Sequence, residues 1–213
     1  MSQLRLGFFA SHGGTNMQAI IDAVNRGDLD ATPAVIISNN RESEALKRAR
    51  TEGIPSFHMS RATHPEPTDL DRAVLSVLRN HRVDYVILAG YMRMLGSETV
   101  SAYAGRILNV HPALLPRFGG RGMYGRLVHE AVIAANEHRS GATVHLADDE
   151  YDHGPILAQV EVPVIQADTP DSLAARVLVQ EHALLVATLQ RIRSGEVEPM
   201  VIWERRQVTG TGP

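Results

Sequence analysis

The first part of the chain repeats an apolar run followed by an amphipathic stretch, and this repeat restricts the possible folds more than any other feature. Leu4 to Ala10 is almost continuously apolar, as in a parallel strand covered on both faces. After a glycine-rich turn, apolar residues recur at helical spacing before Gly27: Met17, Ile20, Ile21 and Val24. This order predicts a strand, a loop and a helix.

The same pattern returns further along the chain. Ala34 to Ser38 is a predicted strand, Glu42 to Glu52 a helix, and a short strand follows near Phe57. Thr68 is the expected cap of a helix with the buried stripe Leu70, Ala73, Val74, Val77 and Leu78. Further predicted elements are a strand at Asp84 to Ala89, a helix at Ser97 to Ala104 and a strand at Ile107 to Val110.

The C-terminal half departs from the parallel pattern. A helix is predicted at Leu127 to Asn136 and a strand at Thr143 to Ala147. Ile156 to Val164 alternates apolar and other residues, as in an antiparallel strand with one exposed face. Thr169 and Pro170 open a helix that runs to about Arg193. We therefore predict an α/β fold: an open, mostly parallel twisted sheet of the Rossmann-like type, with helices on both faces and antiparallel strands toward the C-terminus.

Length and composition favour one globular domain over residues 1–213, with halves at 1–105 and 106–203 and a flexible tail at 204–213. The 213 residues carry 21 basic and 24 acidic side chains, so the chain lacks the basic excess of proteins that bind nucleic acids or membrane surfaces. It contains no cysteine, which excludes disulfides and thiolate chemistry. No apolar run approaches the ~20 residues that span a bilayer. We expect a soluble, cytoplasmic protein.

A glycine-rich loop, Ser11 to Asn16, joins the first predicted strand to the first helix. Open α/β folds present backbone N–H groups to phosphates at this position, and the helix N-terminus adds partial positive charge. The spacing matches neither the dinucleotide nor the Walker pattern. A phosphate-binding loop and a tight turn without a ligand therefore both remain open.

Two further segments carry groups suited to catalysis. Asn109 and His111 follow the fifth strand two positions apart, so that on extended backbone they share a face and both reach one substrate oxygen. The loop from Asp148 to Asp152 holds four carboxylates, and one of them is expected to pair with His111 and raise its pKa. A solvated acidic loop, a hard-cation site, or a zinc site from His111, His145, Asp152 and His153 are the alternatives. We expect no metal, because the spacing matches no zinc signature.

Three motifs together resemble the phosphoribosylglycinamide formyltransferase family, which is folate-dependent and acts in purine synthesis. They are Ile107 to Pro116, Asp152 to Pro155 and Ser11 to Asn16, and the similarity extends to Leu88–Leu95 and to Gln180–His182. It covers nearly the whole chain. It implies formyl transfer from 10-formyltetrahydrofolate to the amine of glycinamide ribonucleotide, with small-molecule partners only, and leaves a homodimer open.

The resemblance also implies roles for individual residues. Asn109, His111 and Asp152 correspond to the family's catalytic residues. The ribonucleotide would contact Gly13, Gly14, Thr15 and Asn16 through its phosphate and Glu181 through its ribose. The folate pocket would comprise Met92, Arg93, Met94, Leu95, Val100, Asp148, Asp149, Glu150 and Tyr151. Without a ligand role, Glu181 would lie on a solvated helix face, and Met92, Met94 and Leu95 would be ordinary core.

Related enzymes that share one of these motifs define the alternative functions. The Asn-x-His-Pro element also occurs in methionyl-tRNA formyltransferase and in formyltetrahydrofolate deformylase, but these carry an extra domain for which 213 residues leave no room. Hydrolysis of formyltetrahydrofolate and a non-catalytic phosphate-binding module are the alternative functions.

Pro67 stands where relatives often place a folate-tail arginine, so that Arg61 or Arg72 is a candidate replacement. The stretch from Gly119 to Gly125 also differs from the family's usual form.

Overall fold

The computed structural model describes residues 3–209, which form an α/β fold around a seven-stranded, mostly parallel sheet, as predicted. The chain divides after Leu108 into two compact units. In chain order the elements are β1 (Leu4–Phe9), α1 (Thr15–Asn25), β2 (Ala31–Ser38), α2 (Glu44–Thr51), β3 (Ser56–His58), α3 (Pro67–Asn80), β4 (Tyr85–Leu88), α4 (Ser97–Ala102), β5 (Ile107–His111), α5 (Arg126–Ala134), β6 (Arg139–Leu146), β7 (Ile156–Pro163), α6 (Pro170–Ser194) and α7 (Pro199–Thr209).

The first unit contains a parallel sheet with the strand order β3-β2-β1-β4. Leu6, Phe8 and Phe9 of β1 are fully buried, which accounts for the continuous apolar run of this strand. Apolar side chains of α1 and α2 are buried as well, among them Met17 and Leu46. The loops that follow β1 and β4 are thereby anchored to a packed core.

The start of α3 differs from the prediction. Glu66 is the N-cap and Pro67 the first helical residue, so Thr68 lies inside the helix. Proline suits this position because its missing N–H would have no helical partner there. The buried residues of the helix are Asp71, Val74, Leu75 and Leu78, whereas the predicted Leu70, Ala73 and Val77 are only half-buried. The Asp71 carboxylate accepts hydrogen bonds from the N–H groups of Glu98 (2.8 Å) and Thr99 (3.1 Å), which holds the first turn of α4.

The second unit has the strand order β5-β6-β7, and β6 and β7 pair antiparallel as predicted. β5 continues through His111, one residue further than expected, and β6 begins at Arg139. The early start of β6 includes Gly141, where a Cβ atom would lie 2.1 Å from the carbonyl oxygen of Val160. Glycine is therefore required for the close approach of β7.

Helix α6 packs on β6 and β7 through a buried face that includes Leu173 and Val177. Thr169 and Ser172 form a capping box at its start. Its length and a mean hydropathy of 1.3 would also suit a membrane-crossing helix, although the sequence predicted no such stretch. In the structure it is a core helix with one exposed face.

The predicted flexible tail overlaps the last helix. Residues 204–209 belong to α7, whereas residues 210–213 lie outside the described part of the chain. Arg206 of α7 donates a hydrogen bond to the carbonyl oxygen of His153 (2.8 Å). At least this residue of the tail is held in place.

Candidate functional site

In the first unit, the loop that precedes α1 is shaped by Gly14. This residue is the N-cap of α1 and adopts a left-handed conformation (φ 66°). A Cβ atom at Gly14 would lie 2.8 Å from Cβ of Ala45, so both the conformation and the space require glycine. No side chain caps the helix. The first-turn N–H groups, from Thr15 onward, are thus suited to bind an anion.

Neighbouring elements hold this loop. The carbonyl oxygen of His12 accepts from the N–H of Ala45 (3.0 Å), and that of Gly13 accepts from Nε of Arg48 (3.0 Å). Because α2 binds these two carbonyl groups, the loop keeps its shape next to the start of α1. Asn16 is buried in the first turn.

Ser11 links the loop to the segment that follows β4. Its hydroxyl donates to Oδ1 of Asn39 (2.6 Å) and accepts from the N–H of Met92 (2.8 Å). Met92 and Met94 are 38% and 39% exposed, so the interpretation of these methionines as ordinary core is wrong. Arg93 is exposed, and Leu95 and Val100 are half-buried. Exposed apolar side chains at the end of a parallel strand suit a flat aromatic ligand.

In the second unit, the structure brings Asn109, His111 and Asp152 together. Nδ2 of Asn109 lies 3.4 Å from Oδ1 of Asp152, and Nδ1 of His111 lies 3.4 Å from Oδ2 of the same carboxylate. Asn109 and His111 are the third and last residues of the five-residue strand β5, so they share a face. Asp152 comes from the loop between β6 and β7.

A fourth side chain, His145, completes this cluster, and the sequence indicated it only as a possible zinc ligand. It is buried at the end of β6, and its Nδ1 lies 2.9 Å from the carbonyl oxygen of Leu146. Nδ1 must carry the proton to donate there, so Nε2 is the acceptor in the neutral ring. Asn109 Nδ2 lies 2.9 Å from this Nε2. His145 therefore orients the Asn109 amide.

Backbone groups of the stretch after Pro116 hold the other side of the cluster. Nε2 of His111 donates to the carbonyl oxygen of Phe118 (2.7 Å), and the N–H of Gly120 donates to Oδ2 of Asp152 (3.0 Å). Phe118 and Gly120 both have positive φ, 55° and 91°. Side-chain identity carries no signal for these contacts; the sequence indicated only that residues 119–125 differ from the family's usual form.

Burial lowers the pKa of His111, and this effect outweighs the attraction of the Asp152 carboxylate and the hydrogen bond to Phe118. The prediction of a raised pKa for His111 is thus wrong. A carboxylate does lie beside the imidazole, but burial has the larger effect on the pKa. Burial also acts to raise the pKa of Asp152. Hydrogen bonds and charge interactions with His145, His111 and the Gly120 N–H outweigh this effect of burial, so the pKa of Asp152 is lowered overall. The resting pair is a carboxylate beside a neutral imidazole.

The remaining predicted site residues occupy two places in the second unit. Glu181 lies on α6 and is only 7% exposed, so its interpretation as part of a solvated helix face is wrong. In the acidic loop, Asp149, Glu150 and Tyr151 are exposed, whereas Asp148 is half-buried. Within residues 3–209, no group of three or more acidic or histidine side chains has the arrangement of a metal site.

The two candidate replacements for the folate-tail arginine lie near the start of α3. Arg72 is exposed and pairs with Glu98 (3.1 Å), and Arg61 is exposed in the preceding loop. Pro67 is the first residue of the helix. Neither arginine is distinguished from the other by these contacts.

Comparison with known proteins identifies the relatives of this chain. Phosphoribosylglycinamide formyltransferase of Arabidopsis thaliana, a chloroplastic protein, is 42% identical over 88% of the chain and 65% of its own length. The chain thus spans just under two thirds of this plant relative. Phosphoribosylglycinamide formyltransferase of Escherichia coli is 35% identical over 88% of the chain and 86% of its own length.

Solved structures agree with the sequence relatives. The crystal structure of glycinamide ribonucleotide transformylase 1 from Symbiobacterium toebii superposes with a TM-score of 0.85 and 35% identity, over 92% of this chain and 91% of that one. The family model described as formyl transferase matches residues 4–189, which include the whole cluster around Asp152. This chain therefore belongs to the formyl transferase family.

Proposed function

We propose that this chain transfers the formyl group of 10-formyltetrahydrofolate to the amine of glycinamide ribonucleotide, giving formylglycinamide ribonucleotide and tetrahydrofolate in de novo purine biosynthesis. The observation that carries the proposal is the buried cluster of Asn109, His111 and Asp152, oriented by His145, in a chain of the formyl transferase family. The relatives' names support the choice of the acceptor.

The reaction is a direct acyl transfer. The amine nitrogen bonds to the formyl carbon, the bond from this carbon to N10 of the folate breaks, and one proton moves from the amine to N10. A tetrahedral intermediate with a negatively charged oxygen lies between these steps. The protein must stabilise this oxygen and carry the proton.

Asn109 is the proposed donor to the oxygen. One hydrogen of its amide points to His145 at 2.9 Å, and the other makes only a long contact of 3.4 Å with Asp152. The long contact is the weaker one and is the one that a substrate oxygen would replace. The short contact keeps the amide in place meanwhile, which is the preorganisation that such a donor needs.

His111 and Asp152 are the proposed proton carriers. With Nε2–H directed at Phe118, the neutral imidazole presents its lone pair at Nδ1 toward the Asp152 carboxylate. A proton that leaves the attacking amine would be stabilised between these two groups and then pass to N10.

The substrate sites are part of the same proposal. Gly13, Gly14, Thr15 and Asn16 would bind the ribonucleotide phosphate at the start of α1, and Glu181 would bind ribose hydroxyls. The folate would contact two segments, one with Met92, Arg93, Met94, Leu95 and Val100, the other with Asp148, Asp149, Glu150 and Tyr151. A single domain, a cytoplasmic location, the absence of a metal and a homodimer as a possible state stay predictions.

One experiment tests the proposed reaction. The purified full chain is incubated with 10-formyltetrahydrofolate, with and without glycinamide ribonucleotide, and the release of tetrahydrofolate is followed. We expect release only when both substrates are present. Release without the ribonucleotide would indicate hydrolysis, and no release in either mixture would indicate a binding protein; both results would refute formyl transfer.

A further inference from the structure

The contact of Arg206 with the loop that carries Asp152 has no assigned role. Arg206 lies on α7, beyond residue 189, where the match to the family model ends. Its side chain is only 15% exposed, which is unusual for an arginine near the end of a chain. Burial of a guanidinium requires hydrogen-bond partners, and the loop between β6 and β7 supplies them.

The guanidinium of Arg206 contacts both ends of the acidic loop. Nη1 donates to the carbonyl oxygen of His153 at 2.8 Å and lies 3.7 Å from Oδ2 of Asp148. Nη2 lies 2.8 Å from Nδ1 of the His153 ring. The ring in turn lies 3.3 Å from Oδ2 of Asp148. One side chain thus bridges the first residue of the loop and the residue directly after Asp152.

The base of the loop is fixed independently of Arg206. The N–H of Leu146 donates to the carbonyl oxygen of Pro155 (2.9 Å). A Cβ atom at Gly154 would lie 1.7 Å from the carbonyl oxygen of Leu146, so only glycine allows this approach. These two contacts at the base of the loop do not involve Arg206, whose hydrogen bond to His153 lies beyond them in the loop.

Asp152 needs support because its backbone conformation is uncommon. Its φ of 55° lies in the left-handed region, which residues with a Cβ atom rarely adopt, although aspartate does so more often than most. The Gly120 N–H holds the Asp152 carboxylate on one side (3.0 Å). Arg206 holds the next peptide group through the His153 carbonyl oxygen on the other side. Such strained positions persist only where the surroundings overdetermine them.

We propose that Arg206 is a positioning residue: its guanidinium fixes the His153 carbonyl group and thereby keeps the Asp152 carboxylate against His111 and Asn109. In this proposal Arg206 acts on the reaction through Asp152. The inference rests on the proposed formyl transfer for its effect on the rate. Its structural part, the ordering of residues 148–153 by α7, is independent of the reaction.

The kinetic test compares Arg206→Ala with Arg205→Ala, an exposed neighbour on the same helix. We expect Arg206→Ala to lower kcat by about 10- to 100-fold, the range in which displaced catalytic groups reduce rates, with the KM for the ribonucleotide unchanged within twofold. Arg205→Ala should turn over like the wild type. A kcat of Arg206→Ala within twofold of the wild type, or equal losses in both variants, would overturn the proposal.

A double variant tests whether Arg206 acts through Asp152. In the Asp152→Asn background, Arg206→Ala should cause no further loss of kcat beyond about twofold, because coupled residues are not additive. Additive losses would show that Arg206 acts elsewhere, against the proposal. A role in general stability alone would lower kcat equally in both backgrounds.

Hydrogen exchange of the backbone amides at 148–154 gives a readout without turnover. In Arg206→Ala these amides should exchange faster than in the wild type, whereas the exchange rates of the β6 amides should not change. Unchanged protection of the loop would overturn the ordering role. If the wild-type chain does not transfer the formyl group, the proposed function is refuted, but the exchange experiment still tests the ordering role of Arg206. The two failures are therefore distinguishable.

Discussion

Asn109 donates both hydrogens of its amide to neighbouring side chains, and the lengths of the two contacts differ by half an ångström, 2.9 Å against 3.4 Å. A donor held firmly on one side and loosely on the other can accept a new partner without losing its orientation. In the proposed reaction, this arrangement and the neutral His111 favour charge stabilisation mainly by Asn109 and proton transfer by His111 and Asp152.

At this scale the first prediction concerns Asn109 and Asp152. Asn109→Ala and Asp152→Asn should each lower kcat by about 10²- to 10³-fold, as expected for one preorganised polar group. Steady-state kinetics with both substrates measures the change. Turnover near that of the wild type in either variant would contradict the assignment of that residue.

His145 should act on the rate through Asn109. His145→Phe removes the acceptor that orients the amide, and we expect a loss of kcat of about tenfold or more, since a misplaced group loses much of its effect. His138→Gln, at an exposed position of the same unit, is the matched control. The role is refuted if both histidine variants keep the wild-type kcat, or if His145→Phe lowers kcat as much in an Asn109→Ala background as in the wild type.

Among the elements, the start of α1 requires a glycine for two reasons at once. Gly14 combines a positive φ with a close neighbour in α2, Ala45, so that the loop and two helices depend on one residue without a side chain. The same loop carries the proposed phosphate contacts. A side chain at this position would therefore disturb the N–H groups at the helix start.

Gly14→Ala should raise the KM for glycinamide ribonucleotide about tenfold or more, because a hydrogen bond to a charged group contributes roughly 1.5–3 kcal/mol. The KM for the folate should change less than twofold. Gly53→Ala is the control, with a similar φ of 68° and no atom within 4 Å of the added Cβ. Equal changes in both KM values would argue against a phosphate site at this loop.

The stability of the whole molecule should depend on pH through its buried histidines. Burial lowers the pKa of His111 and of His129 below the usual value for histidine, and repulsion from His111 adds to the shift of His129. A histidine with a depressed pKa takes up a proton on unfolding. The stability that it contributes is therefore present above the unfolded-state pKa and is lost as the pH falls toward the folded-state pKa.

We accordingly expect the free energy of unfolding to decrease between about pH 7.5 and about pH 5.5, by up to about 1.4 kcal/mol per pH unit for each histidine. Urea denaturation at several pH values measures this slope. His129→Leu should reduce the slope, whereas His138→Gln should not. Asp168, whose pKa falls to about 2 mainly through its hydrogen bond with Arg176, titrates in a separate range at lower pH. A slope that is unchanged in His129→Leu would contradict the prediction.

Local pattern was sufficient for most elements of the fold. The continuous apolar run of β1, the helical spacing in α1 and the Thr169–Pro170 start of α6 each reflect interactions within a few residues, and all three are confirmed. The facing positions of Asn109 and His111 also follow from the two-residue period of a strand. The resemblance to the formyl transferase family rests on such short segments and is confirmed as well.

Long-range contacts account for the features of the site that the local sequence pattern did not predict. The pKa of His111 depends on how much water the fold excludes, which neighbouring residues in sequence do not reveal. The Asn109 amide contacts His145, 36 positions away. The Phe118 carbonyl group accepts from His111, the Gly120 N–H donates to Asp152, and Arg206 donates to the His153 carbonyl group. Burial and hydrogen-bond partners depend on neighbours that are packed together in space. For that reason only the tertiary structure decided the charge state and the hydrogen-bond support of the candidate catalytic cluster.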